Sequence, residues 1–140
     1  MSIPILTAIV RHPFWQRGGL LIARLMIAAI FAMACITKLM NLGGTAATIE
    51  AAGFPLGLPL ACIAALCEAV LLVAFLTGIL MREAALLGAI YILFLAFAFH
   101  GPQNWAANHM EFGVFTDHFA FAAALLYMTA FGPGPLGIRR

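Results

Sequence analysis

The run LGLPLACIAALCEAVLLVAFLTGIL, Leu56 to Leu80, contains a single charged residue, Glu68. At 1.5 Å per residue, a helix of this length crosses a hydrocarbon core of roughly 30 Å. Three more blocks share its character, and together the blocks fall at about 18–42, 56–80, 84–100 and 114–131. The expected fold is therefore all-α: an integral membrane four-helix bundle, with residues 1–140 forming one transmembrane domain.

Composition excludes the soluble alternative. Of the 140 residues, 65% are hydrophobic and 9% charged, whereas soluble domains carry about 25% charged residues. Too few polar side chains are present to cover a water-facing surface, so lipid is the solvent. The formal charge of +2, with its basic residues scattered, gives no electrostatic footprint for nucleic acid. The apolar stretch from Ile3 to Val10 is too short to span and has no basic region before it, so it does not read as a cleavable signal. An interfacial segment anchored by Phe14 and Trp15 is expected instead.

The arginines set an orientation. Arg11, Arg17 and Arg24 precede or open the first span, Arg82 lies between the second and third, and Arg139 and Arg140 end the chain. The positive-inside rule then puts both termini and the Arg82 turn in the cytoplasm, and the first and third connections outside. The first connection runs from Gly43-Gly44 to Gly53-Phe54-Pro55, with room for a short surface helix from Thr45 to Ala52. Met81-Arg82-Glu83 reads as a tight turn. The third connection, Gly101 to Gly113, is long and polar and brings His109 and Glu111 between His100 and Asp117-His118.

Charge inside a span needs a reason, because it costs a few kcal/mol to insert. Arg24 lies within two turns of the cytoplasmic end and is expected to snorkel to that surface. Lys38 is near the outer end of the first span and, taken alone, would snorkel outward. Glu68 lies some 18 Å from Leu80 by the helical rise, so it must be paired, protonated or water-facing. Antiparallel neighbouring spans would let Lys38 reach it. Two readings of Glu68 stay open: an ion pair that locks the bundle, and a carboxylate that handles protons or binds a ligand.

His100 closes the third block while Asp117 and His118 open the fourth, so hairpin geometry places all three at one outer face. Asp117, after Thr116, equally suits a helix N-cap. The imidazoles suit a metal, a haem or a quinone carbonyl, but no His-x-x-His or His-x-x-x-His spacing is present and no metal site is assigned. Trp105, Phe112, Phe115, Phe119 and Phe121 make an interfacial aromatic belt that would also wall a planar head group. Lys38, Glu68, His100, Asp117 and His118 are thus the candidate cofactor-binding residues, with quinone the candidate ligand. Cys35, Cys62 and Cys67 lie in apolar runs without a CxxC pair and read as free thiols.

Several segments together resemble the DoxX family of small four-span membrane proteins. They are Ala23-Arg24-Leu25, Thr37-Lys38-Leu39, Ala51-Ala52-Gly53-Phe54-Pro55, Cys67-Glu68-Ala69 and the run from Leu76 to Ala85. The resemblance extends from about Leu20 to about Arg140. It implies a membrane-embedded, redox-associated role, the family taking its name from a subunit of a thiosulfate:quinone oxidoreductase, and it implies the bacterial inner membrane as location. It carries over to Arg24, Lys38, Glu68 and Arg82. His100, His109, Asp117 and His118 lie where the chain departs from the family pattern.

Three functional classes follow. The first is a quinone-linked subunit of a membrane oxidoreductase system. The second is a structural or assembly subunit whose small residues pack against other membrane subunits or against a second copy. The third, a transporter, lacks an internal repeat to support it. With no CxxC pair, nucleophile elbow, phosphate loop or zinc-helix motif, catalysis complete within this chain is not expected.

Overall fold

The computed structural model describes residues 4–134, and all its regular elements are helical. Arg139 and Arg140 lie outside the described residues, as do Met1 to Ile3. The elements are α1 (Pro4–Arg11), α2 (Leu20–Met40), α3 (Leu42–Ala51), α4 (Gly57–Thr77), α5 (Met81–His100) and α6 (Met110–Phe131). Four helices are long and apolar enough to cross a membrane: Arg17–Met40, Gly57–Thr77, Met81–Asn104 and Met110–Phe131. A widened π turn over Trp15–Gly19 joins the amphipathic α1 segment to α2, and Phe14 and Trp15 on it are exposed, packed edge to face at 5.3 Å.

Packing is divided between the two ends of the bundle. α2 lies along α4 and α5 along α6. At the end formed by the start of α2, the end of α4, the start of α5 and the end of α6, one core joins all four helices. Phe31 and Phe75 stack at its centre, ring centroids 5.6 Å apart and planes 6° apart. Small residues such as Ala85, Gly88, Ala89 and Ala122 let the backbones approach. In lipid this close packing, rather than expulsion of water, holds helices together.

Arg24 closes the same end, and it does not snorkel. Its residue is 3% exposed. Nη1 donates to Pro133 O at 3.2 Å and Nη2 to Leu76 O at 3.5 Å, so the guanidinium satisfies carbonyls at the ends of α6 and α4. Arg82 Nη1 donates to Thr129 O at 3.4 Å on α6. Cations at helix C-termini complement the dipole as well as the orphan carbonyls.

The connections differ from the sequence expectation in register. Gly43 and Gly44 lie inside α3 rather than in a turn, because Asn41 Oδ1 caps the helix by accepting from Gly44 N at 2.9 Å. α3 ends in a Schellman motif at Gly53 (φ 91°), with Gly53 N donating to Glu50 O and Phe54 N to Ile49 O. It folds back on α4 so closely that a Cβ on Gly57 would sit 2.5 Å from Ala46 O, and Glu50 Oε1 accepts from Gly57 N at the start of α4. The α4–α5 turn is Gly78 to Leu80, and Met81-Arg82-Glu83 form the first turn of α5. Gly78 and Leu80 take the left-handed conformations that reverse the chain.

α6 begins at Met110, four residues before the expected block. Asn108 Oδ1 accepts from Met110 N at 3.0 Å, and Glu111 places negative charge in the first turn. Asp117 therefore lies two turns inside the helix and is not its cap.

A candidate functional site in the cleft at the open end of the bundle

Away from the packed core, the four helices diverge around a cleft of about 1190 Å³. It runs between the end of α2, α3, the first half of α4, the second half of α5 and the start of α6. Three of the five candidate residues, Lys38, His100 and His118, line it, and Glu68 lies behind Lys38.

The deeper region is built on Glu68, which is 1% exposed. Lys38 Nζ donates to Glu68 Oε1 at 2.7 Å, and Tyr91 OH donates to the same oxygen at 2.9 Å. Lys38 thus reaches back from the last turn of α2 instead of snorkelling outward, and one carboxylate ties α2, α4 and α5 together. Glu68 Oε2 is buried and accepts no hydrogen bond from the described residues. Lys38 and Tyr91 line the cleft directly, with Glu68 behind them. Glu68 is therefore paired, as one sequence reading required, yet one of its oxygens and two of the three Lys38 donors have no partner among the described residues.

The outer region is built on His100, Glu111 and His118, all lining the same cleft. The two imidazole rings lie 5.1 Å apart, tilted by 40°. His100 Nδ1 meets Glu111 Oε2 at 2.6 Å, while Asn108 Nδ2 donates to the other carboxylate oxygen at 3.4 Å. His118 Nδ1 donates to Val114 O at 2.7 Å, one turn back on α6. The backbone under this region is also fixed by side chains: Trp105 Nε1 donates to His100 O at 2.9 Å and Asn104 Nδ2 to Phe99 O at 2.7 Å, satisfying carbonyls at the end of α5.

Phe54, Phe94 and Phe99 form an aromatic wall between the polar regions, with Phe54 packed on both others at 5.8 and 6.0 Å. Of the aromatic residues named from sequence, Trp105, Phe112, Phe115 and Phe119 form a second cluster, in which Trp105 contacts Phe112 and Phe115 edge to face and Phe115 contacts Phe119, while Phe121 packs on the main core. None of these lines the cleft.

Asp117 is not brought to the site: it is exposed on α6 and does not line the cleft. His109, at the α6 N-cap position, is exposed and away from the cleft. Among the described residues no group of three or more His, Cys, Asp or Glu has a geometry that could hold a metal ion. Cys35, Cys62 and Cys67 are free thiols, with Cys35 Sγ donating to Ala65 O.

Two residues of the candidate site escaped the sequence reading as site members. Tyr91 is a hydroxyl at mid-span, a signal that could have marked it, because interfacial tyrosines sit at helix ends. Glu111 was visible in the loop, but its partner His100 became clear only once α6 began at Met110.

No curated protein and no solved structure matches the chain. A profile of the DoxX family matches residues 19–101, a stretch that runs from the first residues of the α2 span through the end of α5 and so contains Lys38, Glu68, Tyr91 and His100 but neither Glu111 nor His118. This multi-pass membrane protein belongs to the DoxX family.

Proposed function

We propose that the protein is a redox-associated, quinone-linked subunit of a membrane oxidoreductase system, and that the cleft is its quinone site. The observation that carries this is the continuity of one cleft from the Lys38–Glu68–Tyr91 group to the His100–Glu111–His118 group, with phenylalanines between. A quinone is a planar apolar ring with a hydrogen-bonding oxygen at each of two opposite positions. Aromatic walls with convergent polar groups at separate points match that distribution.

The residues fit the group in a second respect. Lys38 retains ammonium donors at the cleft, and Glu68 Oε2, buried behind it, has no donor among the described residues. Lys38 would donate to one ring oxygen, the histidines would face the other, and the phenylalanines would hold the ring. When bound, a quinone supplies two-electron, two-proton redox chemistry. The chain's own part is to position the ring and exclude water with its apolar wall. The electron partner is a second subunit of the same membrane system, since the chain has no thiol pair or metal-type cluster among its described residues to serve.

Arg24 and Arg82 gather at the packed end, where Arg17 also opens the span, so this end faces the cytoplasm in a bacterial inner membrane and the cleft lies toward the outer face. Purification in a gentle detergent, followed by mass spectrometry of co-purifying molecules and proteins, tests the function. Stoichiometric quinone, reduced by Glu68→Gln, is the expected result. A large complex recovered without quinone would favour the structural-subunit reading, in which Lys38, Glu68 and Tyr91 only lock three helices.

A further inference from the structure

We infer that the outer histidine pair receives a hydroxyl group, so that the cleft binds the reduced, hydroquinone form of its ligand in preference to the oxidised form. This rests on the quinone reading above and deepens it. Both rings have one nitrogen already committed. His118 Nδ1 lies 2.7 Å from a carbonyl, Val114 O, which can only accept, so the proton of the neutral ring is on Nδ1. His100 Nδ1 lies 2.6 Å from Glu111 Oε2, and the carboxylate likewise draws the ring proton to Nδ1.

In both rings Nε2 is left as the free hydrogen-bonding atom, and in the neutral tautomer it is an acceptor without a proton. The pairing is enforced from both sides, because Asn108 holds the Glu111 carboxylate and Trp105 holds the His100 backbone. With both rings neutral, the two acceptors, on rings whose centroids lie 5.1 Å apart, repel a quinone carbonyl, which also only accepts, and match a hydroxyl, which donates. Glu111 is thus a positioning residue: it acts on the ligand through His100 by fixing which nitrogen carries the proton.

The test compares a short-chain benzoquinone with its hydroquinone, each titrated calorimetrically and without oxygen into the full chain in lipid nanodiscs. The wild type should bind the hydroquinone at least about tenfold more tightly, since a site built to accept from a hydroxyl discriminates strongly against a partner that lacks it. Glu111→Gln, whose amide can donate to His100 Nδ1 and shift the ring proton to Nε2, should bring the ratio toward one while the protein keeps its helical content and melting temperature. Equal or tighter binding of the oxidised form by the wild type would overturn the inference and leave the quinone reading standing. Binding of neither form would overturn both.

Discussion

Glu68 carries two donors on one oxygen and none among the described residues on the other, within a span where an unpaired charge costs several kcal/mol. Lys38→Met should therefore destabilise the protein by about 3 kcal/mol, the low end for a broken buried pair because the lysine side chain is 21% exposed. Removing both charges, as Lys38→Met with Glu68→Leu, should cost less than Lys38→Met alone, and Tyr91→Phe about 1 kcal/mol. Equilibrium unfolding in micelles checks all three, and a double change as costly as the sum of its singles would contradict the pairing. The Lys38–Glu68 contact was legible in the sequence because charge stands out in an apolar run and consecutive spans are antiparallel. Tyr91 was not, because a tyrosine among phenylalanines reads as one more aromatic. Arg24 was misread because periodicity gives depth but not partners: only the folded chain brings the orphan carbonyls of Leu76 and Pro133 to its guanidinium.

The helices themselves follow from block length, while their ends follow from caps that composition conceals. Gly43-Gly44 and Phe112-Gly113 look like loop, yet Asn41 and Asn108 start helices beside them, and the shift at α6 moves Asp117 from a cap to an exposed turn. The same shift puts Glu111 in the first turn of α6, where it reaches His100. At the α4–α5 turn, Leu80 adopts φ 49°, a left-handed conformation that costs a branched residue about 1 kcal/mol. Leu80→Gly should recover part of that cost and raise the melting temperature, whereas a lower one would show that the exposed leucine is worth more to the membrane interface than the relief of strain. Within α5, Ala85 is fully buried against the neighbouring helices. Ala85→Leu should force the helices apart and cost about 1–3 kcal/mol in the same unfolding measurement.

Across the whole molecule, a four-helix core fills one end while the other opens into the cleft beside a smaller core between α3 and α4, and the two candidate groups identified separately in the sequence share that open end. The sequence showed that each group existed, but not that they share a cleft, because their meeting depends on how α3 folds back on α4 and on where α6 begins. Those features are set by side-chain caps and a close glycine contact rather than by hydropathy. The arginine-rich packed end predicts that a reporter at either terminus will be active on the cytoplasmic side and one placed in the 102–108 connection on the outer side, with the reverse pattern contradicting the orientation. The cleft itself is tested most directly by photo-crosslinking with a photoreactive benzoquinone in native membranes and mapping the labelled peptides. The account predicts saturable labelling confined to peptides that contain Lys38, Tyr91 to Phe99 and His100, competed by unlabelled quinone. Labelling that does not saturate, or that falls on lipid-facing positions such as Leu66, Val70 and Leu87 instead, would contradict it.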